Sequence, residues 1–98
     1  MITIRHREKR NNRTIIVSGH AGAAEPGKDI FCAAASTLMM TLLSALDRAE
    51  IDAIEIVGDG YVYVQCTDAG AEMIYYTVLT GYYTLAMNYP EYYRVETL

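Results

Sequence analysis

The first nineteen residues, "MITIRHREKRNNRTIIVSG", alternate apolar and polar positions on both sides of a polar segment at Lys9–Arg13. Alternation of period two predicts two short β-strands, and Asn11-Asn12 between them tolerates the left-handed backbone of a tight turn, so the segment reads as a β-hairpin. A glycine-containing loop follows, and then Asp29, whose carboxylate can accept from the backbone N–H groups of Phe31 and Cys32 and so cap a helix beginning at Ile30. From Ile30 to about Glu50 the apolar positions Ile30, Ala33, Ala34, Thr37, Leu38, Thr41, Leu42, Ala45 and Leu46 fall at helical spacing. Met39, Met40 and Leu43 widen the stripe beyond one face, so this helix needs cover on most sides.

The stretch "AIEIVGDGYVYVQC" places β-formers on either side of Gly58-Asp59-Gly60, which predicts a second hairpin of Ala53–Val57 and Tyr61–Cys66. Asp68 can cap a further helix running to about Asn88, with Ala71, Ile74, Tyr75, Val78, Leu79, Tyr82, Leu85 and Ala86 on its inner face. Gly81 in its middle costs about 1 kcal/mol relative to alanine and suggests the close approach of another backbone. Pro90 ends the helix, and "YYRVET" adds a short edge strand. The order β-β-α-β-β-α(-β) predicts an α+β fold, a mostly antiparallel sheet packed with two helices, in one domain spanning residues 1–98.

Composition changes this picture little. With 98 residues, 52% of them hydrophobic and 20% charged, the chain can bury one core and carries no disordered tract. The segment Ile30–Leu46 is shorter than the roughly 20 residues of a membrane span and carries Thr and Ser; a buried helix accounts for it, and no membrane partner is expected. Arg5, His6, Arg7 and Glu8 follow Ile4 at once, so no secretory signal is visible and the expected location is cytoplasmic.

Charge is unevenly placed. Residues 1–13 hold five cations, Arg5, Arg7, Lys9, Arg10 and Arg13, against Glu8, in a chain of net charge −4. The cluster reads as a solvated hairpin tip; direct nucleic-acid binding is not expected, because an RNA backbone usually takes a broader basic face. The acidic remainder suits a basic polypeptide partner. The nine tyrosines include the pairs Tyr75-Tyr76, Tyr82-Tyr83 and Tyr92-Tyr93, which suit core packing, an aromatic wall for a peptide, or a dimer face.

The candidate chemistry lies in "SGHAGAAEPGKDIFCAAAS". Cys32 is the third residue of the predicted helix, where free backbone N–H groups and the positive end of the helix dipole favour a thiolate. His20, at a strand end, is joined to it by a loop long enough to fold the imidazole back as a base. The small residues Gly19, Ala21, Gly22 and Gly27 leave room for an extended peptide, and helix N–H groups near Cys32 offer oxyanion donors. Ser36, one turn beyond Cys32, either bonds near the site or packs the helix. Asp29 either caps the helix or orients His20 as the acid of a triad does. Cys66 has no histidine nearby in sequence and reads as structural. Two histidines and two cysteines fall at no metal-ligand spacing, so no metal or other cofactor is expected.

The same string resembles the signature of the ribosomal-processing cysteine protease family, Prp, through Gly19, His20, Ala21, Gly27, Asp29, Ile30, Cys32, Ala33, Ala34 and Ser36. Weaker similarity extends through "MITI", "GDG" and "NYPEYYRVE", while Phe31 and Ala35 stand where the family commonly has valine. The resemblance implies Cys32 as nucleophile and His20 as general base. It also implies a homodimer whose substrate is the N-terminal extension of a bacterial large-subunit ribosomal protein. Two other classes stand beside it: a ribosome-associated binding module without proteolytic activity, and a thiol redox sensor, which lacks a resolving cysteine close in sequence.

Overall fold

The computed structural model describes residues 1–22, 25 and 29–98. Its elements in chain order are β1 (Ile2–Lys9), β2 (Asn12–Gly19), α1 (Ile30–Arg48), β3 (Ile54–Gly58), β4 (Tyr61–Cys66), a short 3-10 turn (Ala69–Ala71), α2 (Glu72–Asn88) and β5 (Tyr93–Thr97). The five strands form one sheet in the order β3-β4-β2-β1-β5, antiparallel except for the β1–β5 pair. The final segment is therefore an edge strand, laid parallel to β1.

Alternation puts Ile2, Ile4, His6 and Glu8 of β1 on one sheet face, in register with Gly19, Val17, Ile15 and Arg13 of β2. Ile4, Ile15, Val64 and Cys66 of the sheet are buried in one core with Leu42 and Leu46 of α1 and Tyr75 and Tyr82 of α2. By length and composition alone α1 is long and apolar enough to cross a membrane, yet one side of it lies in this core.

The buried side of α1 differs from the stripe read off the sequence. Ala35, Met39, Leu42 and Leu46 are buried, whereas Ile30 is 72% exposed and Ala33, Thr37 and Thr41 also face outward. The hydroxyls of Thr37 and Thr41 donate to the carbonyls of Ala33 and Thr37, at 2.8 and 2.7 Å, so these residues need no partner in the core. On α2 the burial of Tyr75, Val78, Leu79 and Tyr82, with Ala71 just before it, follows the periodicity.

Four local expectations are corrected. The left-handed residue of the first hairpin is Arg10, at φ 59, rather than Asn11 or Asn12. Arg13 is not part of the solvated tip: it is buried, and its guanidinium donates to the carbonyls of Asn11 (3.4 Å) and Asp68 (3.3 Å). Asp68 caps the 3-10 turn by accepting from Gly70 N at 2.7 Å, while α2 starts at Glu72, its N-cap residue Ala71 making no side-chain cap bond. The group crowding Gly81 is a side chain, for a Cβ there would stand 2.7 Å from Leu38 Cδ2. This is where the two helices meet.

Candidate active site

Asp29 fixes the start of α1. Its Oδ1 accepts from Phe31 N at 2.9 Å and Cys32 N at 3.1 Å, and its carbonyl accepts from Ala33 N at 3.1 Å. Tyr93 of β5 reaches the same turn and donates its hydroxyl to the Phe31 carbonyl at 2.5 Å. One turn on, Tyr82 of α2 donates to the Ala35 carbonyl at 2.9 Å. The helix end that carries Cys32 is thus held by β5 and α2 together, with Phe31 stacked on Tyr92 at 4.0 Å between ring centroids.

Cys32 is partly buried, and the backbone N–H of Ala21 donates to its Sγ at 3.4 Å. The helix amides expected as oxyanion donors are already engaged by Asp29, so the donor aimed at the sulfur comes from the residue after His20. Sequence reasoning missed this, because the contact depends on how the loop folds over the helix.

His20 follows the end of β2, and its carbonyl accepts from the Met1 amino nitrogen at 2.6 Å. Its ring lies over the second hairpin turn: a Cβ on Gly60 would stand 2.7 Å from Nε2, and Gly19 N donates to Gly60 O at 2.9 Å. Gly60 has φ +62 as well, so both its backbone and its missing side chain suit the imidazole beside it. Among the described residues no hydrogen bond joins the His20 ring to Cys32.

His20 and Cys32 nonetheless line one cleft of about 660 Å³, together with Gly19, Gly22, Asp29 and Ser36. Ile2, Val17, Met39 and Val62 form its apolar floor, and Gly58, Asp59, Gly60 and Tyr61 its far wall. The "GDG" segment was legible as a turn; its place beside His20 was not, because that follows from β4 pairing with β2. Of the residues singled out from sequence, Ala21 is buried just behind the cleft and Gly27 lies outside the described residues. Of the paired tyrosines, Tyr75, Tyr82 and Tyr93 are buried in the core, and none of the six lines the cleft. Cys66 is buried, and burial pushes its thiol up from 9.0, against the pull of nearby Arg13.

A family model described as cysteine protease Prp matches residues 1–94. The chain belongs to the cysteine protease Prp family. Among solved structures it is similar to a ribosomal processing protease Prp from S. aureus in complex with a covalently linked product peptide, at TM-score 0.91 and 25% identity over all of both chains. The same S. aureus protease with a substrate peptide matches at TM-score 0.86 and 24% identity, again over all of both chains. SMU.848 from Streptococcus mutans matches at TM-score 0.78 and 28% identity, over all of this chain and 94% of that one. No curated protein sequence matches. The cleft between α1 and the Gly60 turn has the Cys32 thiol and the His20 imidazole in its lining. Among the described residues no group of His, Cys, Asp and Glu is arranged to hold a metal ion.

Proposed function

We propose that the protein is a cysteine endopeptidase that removes the N-terminal extension of a bacterial large-subunit ribosomal protein. In this reading Cys32 is the nucleophile and His20 the general base. The observation that carries it is the shared cleft of about 660 Å³ lined by both residues. His20 takes the Cys32 proton as the sulfur attacks the scissile carbonyl carbon, then gives it to the departing amine. The acyl group is left on sulfur as a thioester. Water, deprotonated by His20, hydrolyses that thioester and regenerates the thiol.

The Ala21 N–H, already directed at Sγ, is positioned to bond the oxyanion that forms on the attacked carbonyl. Gly19, Gly22 and Ser36, which line the cleft, form the peptide-binding rim. The His20 ring rests against Gly60 and must turn toward Cys32 as substrate seats. A basic ribosomal polypeptide suits a chain of net charge −4, and the similar S. aureus structures concern ribosomal processing. The proposal includes a cytoplasmic location and a homodimer, the latter supported by the outer side of α2, which beyond Glu72 carries no charge and where Met73 and Met87 are 78% and 82% exposed.

The test incubates the protein with a peptide spanning the extension junction of such a ribosomal protein and reads product masses. Wild type is expected to cut once, Cys32→Ala to yield no product, and His20→Ala to lose about 10²–10⁴-fold in rate. Cleavage that survives Cys32→Ala would overturn the assignment.

A further inference from the structure

The sheet carries its helices on one face only, and the opposite face has a chemistry of its own. There β1 presents Arg5, Arg7 and Lys9, because these alternate with the inward Ile4, His6 and Glu8. The acid inside this basic run is turned away and engaged: Glu8 accepts from the Tyr75 hydroxyl and pairs with His6 at 2.8 Å on the helix side. Arg5 is paired with Glu96 at 2.8 Å, and Arg13 is buried. Arg7, Lys9 and Arg10 remain, all exposed and none ion-paired among the described residues.

These three cations line a shallow concavity of about 690 Å³ with Asn12, Tyr63 and Gln65, and no acidic residue lines it. That is a notable segregation in a chain with 12 acidic and 8 basic side chains. Tyr63 is half-buried on this face and donates its hydroxyl to Gln65 Oε1 at 2.9 Å, which leaves the Gln65 amide N–H groups available to a ligand. Arg10 holds the left-handed position of the turn, where asparagine or glycine would sit without strain. This turn position sets a cation at the rim.

We propose that this face binds single-stranded nucleic acid. Arg7, Lys9 and Arg10 contact successive phosphates, a base stacks on Tyr63, and the amides of Asn12 and Gln65 bond base edges. An open sheet surface with an aromatic ring among cations suits unstacked bases, which a duplex does not offer. The side-chain amides and the ring favour this ligand over an acidic peptide, which needs only the charge. The cations all come from the first hairpin, and β4 widens the face with Tyr63 and Gln65 rather than with further charge. Lys9 and Ile2 are the two ends of β1, roughly 23 Å apart at about 3.3 Å per residue. The cleft lies at the Ile2 end on the other face, so both sites can be filled together and the inference is independent of the protease reading.

The test is fluorescence anisotropy of a labelled oligouridylate titrated with the full chain across salt concentrations. Three phosphate contacts predict log K falling with log salt at a slope of about −2. The combined variant Arg7→Glu, Lys9→Glu and Arg10→Glu is expected to weaken binding at least ~10-fold and flatten that slope. Tyr63→Leu is expected to weaken it about fivefold or more with the slope unchanged. Circular dichroism verifies that each variant is folded, and peptide cleavage by the charge variant should match wild type. No binding by wild type at low salt overturns the proposal, as does equal binding by the folded charge variant. Polyglutamate or duplex RNA binding as tightly as the single strand would also overturn it, by reducing the face to a general anion patch or a duplex site.

Discussion

Asp29 shows how one side chain can be read two ways until its bonds are seen. Its Oδ1 takes both Phe31 N and Cys32 N, the geometry of a helix cap. Asparagine keeps an oxygen there and loses the charge, whereas alanine loses both. Asp29→Ala is therefore expected to cost about 1 kcal/mol of stability and Asp29→Asn only a few tenths, with peptide cleavage following the same order. If Asp29→Asn keeps its melting temperature but loses as much kcat/KM as Asp29→Ala, the carboxylate charge acts on His20 and the cap is its lesser role. The pair His20 and Cys32 was legible because both lie in one short string. Ala21 N–H and Gly60 were not, since each matters only through what folding sets beside it.

Among the elements, the α1–α2 contact at Leu38 and Gly81 is the most specific. A methyl group on Gly81 would gain about 1 kcal/mol of helix propensity but meet Leu38 Cδ2 at 2.7 Å and Cδ1 at 3.2 Å. Overpacking typically costs about 1–3 kcal/mol, so Gly81→Ala is expected to be destabilising by about 1 kcal/mol overall. In a Leu38→Ala background the same change should become stabilising by about 1 kcal/mol. A double-mutant cycle by urea denaturation checks this; additive effects would mean the two side chains do not compete for space. The helices themselves were visible in their periodicity. The face α1 buries was not, because Ala, Thr and Leu recur on several sides of it and only packing against the sheet selects one.

Across the whole molecule, the buried tyrosines tie the helices to the sheet and to each other and make the fold sensitive to alkali. Burial raises Tyr75, Tyr82 and Tyr93 above the ordinary 10.0, Tyr93 to about 12. Tyr75 is held up further by donating to Glu8, and Tyr93 by its nearness to Cys32 and Asp29. A group whose proton is held more tightly in the folded state contributes stability that is complete below its unfolded value and lost as pH rises through the folded one. Melting temperature should therefore hold to about pH 10 and fall steeply toward pH 12, with Tyr93→Phe showing a shallower fall. A flat profile across that window, read by circular dichroism, would contradict this account.

The sequence by itself determined the elements and their order, the start of α1 at Ile30, and the placing of a histidine and a cysteine on either side of one loop. Those signals are local, set by backbone propensity, alternation and capping within a few residues. Tertiary structure decided which side of α1 is buried, which amide faces the sulfur, where the imidazole rests, and that three cations share a face with Tyr63. Each of these depends on contacts between segments distant in the chain, and a pattern of side chains along one strand or helix holds no record of what packs against it.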